Sequence, residues 1–132
     1  MHIVVIDGQG GRLGAGLVSA VKEKFPQAKL TAIGTNAIAT AAMLKAGAER
    51  GATGENPVVV ACRTADVIVG PIGIIAADAL LGEVTPTMAA AIGAAEARKV
   101  LIPMNRCGIR VMGVAARSRN EYIALAMEEI GQ

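Results

Sequence analysis

Residues His2 to Ile6, directly after Met1, carry four consecutive apolar residues, Ile3-Val4-Val5-Ile6. A run this short and this rich in β-branched residues reads as a strand buried on both faces, as in a parallel sheet. After a loop from Asp7 to Gly11, Leu13, Leu17, Ala20, Val21 and Lys24 recur at helical spacing, and Pro26 stops that helix. Leu30 to Ile33 predicts a second short strand. Thr35 or Asn36 then caps a helix carrying Ile38, Ala41, Ala42 and Lys45, which ends at Gly47. The segment from Glu49 to Glu55 reads as a polar surface loop, with a lid over a neighbouring crevice as the other reading.

Asn56-Pro57 is a helix-start signal, and Val58, Cys62 and Ala65 share one face. The three valines 58–60 argue for a strand, but Asp66-Val67-Ile68-Val69 needs a crossover before it, so a short helix is expected. That third strand ends at Gly70. Ile74 to Leu81 predicts a short helix closed by Gly82, and Thr85-Pro86 starts another with Met88, Ile92 and Ala95 inward. Val100 to Ile102 is the fourth expected strand and Ile109 to Val114 the fifth. Only Asn105 to Gly108 separate those two, too few residues for a parallel crossover, so strand 5 is expected antiparallel at the sheet edge. Ser118 and Glu121 form a capping box for a last helix, whose inner stripe is Ile123, Met127 and Ile130.

This pattern predicts one Rossmann-like α/β domain over residues 1–132: a doubly wound, mostly parallel five-stranded sheet in the order 2-1-3-4-5. In such a sheet a ligand lies beyond the carboxyl ends of strands 1 and 3, where the winding reverses. Two loops meet there, Asp7 to Gly14 and Gly70-Pro71-Ile72-Gly73.

The first loop carries the candidate chemistry. Gly8-Gln9-Gly10-Gly11-Arg12-Leu13-Gly14 follows a strand and opens a helix. Glycines let the backbone turn sharply and approach a ligand, and the free N–H groups and dipole of the helix start favour an anion. Arg12 can contact a phosphate, and Gly14 lets the helix pack closely on the strand. Against this, the loop can be a tight turn that binds nothing. Asp7 can bind a metal ion or act as a base, but capping the loop's own N–H groups is the plainer reading. A charged Asp7 would repel a phosphate unless turned away. Thr35 and Asn36 stand where many NAD sites place an acidic residue; they can hydrogen-bond a ribose or simply cap a helix. The ligand classes left open are NAD(P), another adenine nucleotide and a phosphorylated metabolite. No Lys-Ser or Lys-Thr follows the glycines, so a Walker-type ATPase loop is not matched.

The run Gly10-Gly11-Arg12-Leu13-Gly14 resembles the opening of dihydrodipicolinate reductases, where a similar loop binds a nicotinamide cofactor. That resemblance spans roughly the first 20 residues. Over most of its length the chain resembles a family of small bacterial proteins, clostridial in the main, grouped as a domain of unknown function. The stretches that carry this are Ile6-Asp7-Gly8-Gln9-Gly10-Gly11, Gly34-Thr35-Asn36, Lys45-Ala46-Gly47-Ala48, Gly51-Ala52-Thr53-Gly54-Glu55-Asn56 and Gly70-Pro71-Ile72-Gly73-Ile74. The resemblance implies a fold and no mechanism.

Composition narrows the partners. Hydrophobic residues are 53% of the 132, aromatics 2% and charged residues 18%, so the core is built of aliphatic side chains and some apolar surface is left to cover. A homo-oligomer, dimer or larger, is expected. A net charge of +2 with no basic run and no aromatic platform argues against nucleic acid. The longest apolar stretch, Val67 to Ala77, is about half a membrane span and contains Gly70, Pro71 and Gly73. Met1 leads directly into a strand, and Cys62 and Cys107 form no metal or redox motif, which together point to the cytoplasm. Cys107, beside Arg106, is a candidate nucleophile, but the sole histidine is His2 and no general base stands near it in sequence.

Three functions fit: a nucleotide-binding module, a small NAD(P)-dependent oxidoreductase with its substrate site between subunits, and a ligand-free assembly protein.

Overall fold

The computed structural model describes residues 1–104 and 108–132. Five strands form one sheet: β1 (His2–Asp7), β2 (Lys29–Gly34), β3 (Arg50–Thr53), β4 (Val67–Pro71) and β5 (Arg98–Ile102). Between and after them run α1 (Arg12–Lys24), α2 (Ala37–Lys45), α3 (Glu55–Cys62), α4 (Pro86–Ala94) and α5 (Arg119–Ile130). A 3-10 turn at Ile72–Ile75 follows β4. The sheet order is β3-β2-β1-β4-β5, and every neighbouring pair is parallel.

The central strand explains its own sequence. All six residues of β1 are buried, and alternate side chains point to opposite faces. Ile3 and Val5 enter a core with Leu17, Val18 and Val21 of α1, Met43 of α2 and Met127 of α5. Val4 and Ile6 enter a second core with Val58 of α3, Ile74, and Met88 and Ile92 of α4. Two covered faces require the unbroken apolar run. The helix starts follow their local signals: Asn36 Oδ1 accepts from Ala39 N at 2.9 Å, Thr85 Oγ1 accepts from Met88 N at 3.1 Å, and Ser118 with Glu121 completes a capping box.

The doubly wound α/β class is as the sequence implies, but several details differ. The four strands expected to be parallel are neighbours in the expected sequence. The order as a whole is 3-2-1-4-5 rather than 2-1-3-4-5, because an extra strand, β3, lies outside β2. β3 falls inside the segment expected to be a loop or lid. It is short and polar, and it is held by register with β2, from Thr31 opposite Arg50 to Gly34 opposite Thr53. An edge strand bonded through its backbone needs no apolar signature.

The antiparallel edge strand at 109–114 is absent, and the edge on that side is the parallel strand β5. Gly113 sits at φ 82° in a turn with Met112, and Val111, Met112 and Val114 are exposed. β-branched residues suggested a strand there, but no buried face selects one. The turn expected through Asn105, Arg106 and Cys107 lies outside the described residues. The helix expected at 74–81 reduces to the 3-10 turn, because Asp78, Leu80 and Leu81 take positive φ (65°, 57° and 58°), which a right-handed helix excludes.

Burial sets the expected response to truncation. Leu17 is fully buried between α1 and the sheet, whereas Leu125 is 41% exposed. Leu17→Ala is expected to lower stability by about 2–5 kcal/mol and Leu125→Ala by under about 0.5 kcal/mol, read from urea denaturation midpoints.

Candidate functional site

The loop after β1 is built around one carboxylate. Asp7 is buried at the strand end; its Oδ1 accepts from Gly8 N at 2.8 Å and its Oδ2 from Gly14 N at 2.6 Å. The loop between closes on itself through Gly11 N to Gly8 O at 2.9 Å. Gln9 (φ 49°) and Gly11 (φ 71°) both adopt left-handed backbone. Asp7 therefore caps the loop, the plainer of the two readings. Burial pushes its carboxyl up from the ordinary value, the bonds from Gly14 and Gly8 pull it back in part, and nearby Glu83 adds to the rise.

The glycines serve different ends. A Cβ on Gly11 would lie 2.7 Å from Ala39 Cα, so this residue is where α1 and α2 meet backbone to backbone. A Cβ on Gly14 would meet Met43 Sδ at 2.6 Å and Asp7 Cβ at 2.7 Å, in keeping with close packing of helix on strand. Gly10 is different: its Cβ would meet only Arg12 Cγ, at 3.9 Å.

On the far side of this loop lies a cavity of about 420 Å³. Its walls are Asp7 to Leu13, Pro71 at the end of β4, Leu80, Met104 beyond β5, and Arg119 at the start of α5. It sits where helix connections leave β1 and β4 toward opposite faces, the position at which doubly wound sheets bind ligands. The N–H groups of Gly10, Arg12 and Leu13 have no acceptor among the described residues, since Gly14 N is taken by Asp7 and Ala15 N by Gly11 O. Arg12 and Arg119 each stand at the first position of a helix, and neither forms an ion pair among the described residues. Two arginines and three residues with open N–H groups thus line one space, and among the described residues Asp7 is the one acidic residue lining it.

The other expected site residues divide. Gly8, Gln9, Gly10, Gly11, Arg12 and Leu13 line the cavity, whereas Gly14 is spent on packing. Of the second loop only Pro71 lines it. A Cβ on Gly70 would run into Ile6 O, and Gly73 is buried while Ile72 is half-buried in the 3-10 turn. Thr35 and Asn36 do not line it. Both donate to Glu83 Oε1, from Thr35 Oγ1 at 2.7 Å and from Asn36 Nδ2 at 2.7 Å, and Gln9 N donates to the same oxygen at 2.9 Å. Asn36 also caps α2, so its capping role stands beside a second one. Partial burial pushes Glu83 up, but its three hydrogen bonds outweigh that and its carboxyl titrates below the ordinary value.

Sequence reading missed Glu83 and Arg119, which lie 75 and 107 positions beyond Gly8 and Arg12 in numbering. No local motif marks either; only the chain's return to the carboxyl end of the sheet brings them in. His2 lies at the opposite end of β1. There it bonds Thr31 Oγ1 at 2.9 Å through Nε2, and burial lowers its pKa. Cys62 is half-buried behind the second core, and burial pushes its thiol up. Cys107 lies outside the described residues. Among the described residues no group of three His, Cys, Asp or Glu side chains is arranged to hold a metal ion, and no helix is long and apolar enough to cross a membrane.

Fold and site together define a doubly wound α/β protein with a glycine-loop cavity at its switch point. A family model described as "Domain of unknown function (DUF3842)" matches residues 2–132, and the chain belongs to that family. Among solved structures, the dodecameric FMN-dependent Ubix-like decarboxylase from Escherichia coli O157:H7 is similar at 20% identity and a TM-score of 0.48, over 99% of this chain and 76% of that one. None of the curated proteins matches.

The two carboxylates make separable predictions. Asp7→Asn leaves one loop N–H facing an amide donor and is expected to cost about 1–3 kcal/mol, seen as a lower urea midpoint. Glu83 has a lowered folded pKa, so its stabilisation is present above the ordinary value of 4.5 and fades as pH falls through the lowered one. The melting-temperature gap between the parent and Glu83→Gln should be largest near pH 7 and shrink toward pH 3.

Proposed function

We propose that this chain is a phosphate- or nucleotide-binding module whose site is the cavity formed by residues 8–13, Pro71, Leu80, Met104 and Arg119. One observation carries the reading: Gly10, Arg12 and Leu13, whose N–H groups have no acceptor among the described residues, line the same cavity as two arginines without ion-pair partners among the described residues. Helix-start N–H groups and guanidinium forks are the protein's usual means of holding phosphate oxygens. The likeness of Gly10-Gly11-Arg12-Leu13-Gly14 to the cofactor loop of dihydrodipicolinate reductases supports the same assignment. Asp7 is compatible with an anion nearby, because both its oxygens are turned to the loop's own N–H groups and burial raises its pKa.

The module is proposed to act as a homo-oligomer over its full 132 residues. Ile38 is 72% exposed, Leu81 97% and Met112 80%, a large share of apolar surface for so charge-poor a chain. A cytoplasmic location is part of the same proposal and fits the free thiol of Cys62.

The binding test uses Gly10, the loop glycine with room beside it. Gly10→Leu adds a side chain in the cavity wall at a position whose Cβ meets only Arg12 Cγ, at 3.9 Å, and should cut a phosphate-ligand thermal shift at least about tenfold in apparent affinity, while the ligand-free melting temperature stays within about 3 °C. Arg12→Ala and Arg119→Ala should each weaken binding by about 3–30-fold, the loss of one charge-assisted contact. Gly11→Ala, by contrast, should destabilise the fold itself, since its Cβ meets the Ala39 backbone. Unchanged binding in Gly10→Leu would remove the loop from the site. Light scattering at micromolar concentration should report a dimer or larger species.

A further inference from the structure

We infer that Leu80 and Glu83 close the half of the crevice over β1 and β2, so that the site takes a ligand with one terminal phosphate, a mononucleotide or phosphorylated metabolite, and excludes dinucleotides. The inference rests on the phosphate-binding reading above and narrows its ligand class.

The closing element is the strap between the 3-10 turn and α4. It folds on itself through Asp78 N to Val84 O at 2.7 Å, Gly82 N to Asp78 O at 3.1 Å and Val84 N to Ala79 O at 3.1 Å. Asp78, Leu80 and Leu81 all hold positive φ, a conformation that costs a side-chain-bearing residue energy and persists only where other contacts enforce it. Those contacts are visible. Leu80 is 8% exposed and belongs to the second core, and Glu83 is latched by the three bonds to Gln9, Thr35 and Asn36. The result is a filled space over Gly8. A Cβ there would meet Leu80 Cδ1 at 2.7 Å, Glu83 Oε1 at 3.0 Å, and Thr35 Oγ1 closer still.

A dinucleotide on a doubly wound sheet crosses the glycine loop, with one ribose held by polar groups at the end of β2. In this chain those groups are Thr35 and Asn36, and their donors are spent within the protein, on the Glu83 carboxylate and, for Asn36, also on Gln9 O. To reach Thr35 and Asn36 a second nucleoside would have to break their two bonds to an ionised acceptor, which are stronger than neutral ones. Its pyrophosphate would also bring added negative charge toward Glu83. The β1–β4 side stays open, and its volume of about 420 Å³ is toward the low end for small-molecule sites, roughly 300–1,000 Å³.

The test compares matched pairs, AMP against NAD+ and FMN against FAD, by isothermal titration with the parent, Glu83→Ala and the conservative Glu83→Gln. In each pair the larger molecule contains the smaller plus a second nucleotide. The parent is expected to bind at least one mononucleotide ten or more times tighter than its dinucleotide. Glu83→Ala should narrow that gap by threefold or more, with Glu83→Gln, which keeps the side chain's shape, in between. If Glu83→Ala does not fold, the parent and Glu83→Gln decide the matter alone. A parent that binds NAD+ or FAD as tightly as the matching mononucleotide overturns the exclusion and leaves the phosphate site standing. No binding of any of the four, or of inorganic phosphate, overturns the underlying reading and the exclusion with it.

Discussion

The Asp7 carboxylate accepts one N–H from the residue beside it and another from seven residues on, and the arrangement of the whole upper end of the molecule follows from those two bonds. They hold both ends of the glycine loop against the tip of β1. With the loop so held, α1 starts at Arg12, Gly14 lies against the strand, and Gly11 meets the backbone of α2. The same bonds turn both Asp7 oxygens to the loop and leave the N–H groups of Gly10, Arg12 and Leu13, residues that line the cavity, without an acceptor among the described residues. A carboxylate can accept several hydrogen bonds at once, which a neutral side chain in this position could not do as well. Burial of the charge is the cost, visible in the raised pKa.

A second carboxylate does complementary work on the other side of the loop. Glu83 gathers Gln9, Thr35 and Asn36 onto one oxygen and thereby ties the 76–84 strap to the ends of β1 and β2. The carboxyl end of the sheet is thus divided. One side, over β1 and β2, is closed by the protein's own side chains. The other, over β1 and β4, carries the open donors, both arginines and the cavity. The asymmetry has a plain origin in the topology: the connection after β4 is long enough to fold back over Gly8 before α4 begins, whereas only two residues, Thr35 and Asn36, separate β2 from α2.

Legibility differed by element for physical reasons. β1, α1, β2, α2, β4 and α4 announced themselves because each buries an apolar face or begins at a side-chain cap, and both are local properties. β3 did not, since Arg50-Gly51-Ala52-Thr53 is held by backbone bonds to β2 and half of its surroundings are solvent. Ile109 to Val114 misled in the opposite sense. Its β-branched residues suit a strand, but the described chain turns at Met112 and Gly113 and leaves them exposed. In the loop, Gly8 to Leu13 were recognisable from composition and from their place between strand and helix. Which glycine packs and which opens to the cavity was not, because that depends on what α2 and the strap place opposite each one.

By itself the sequence determined the doubly wound class, four of the five strands, the caps of α2, α4 and α5 and the glycine loop at the end of β1. Each rests on contacts between residues close in the chain or on the periodicity of burial. The capping role of Asp7 was legible too, since both donors lie in its own loop; the tertiary structure alone decided that Glu83 takes the donors of Thr35 and Asn36, and that Arg119 joins Arg12 at one cavity. Those partners lie about 47 and 107 positions apart. No local propensity encodes such meetings; they arise because every strand in a parallel sheet delivers its carboxyl end to the same edge.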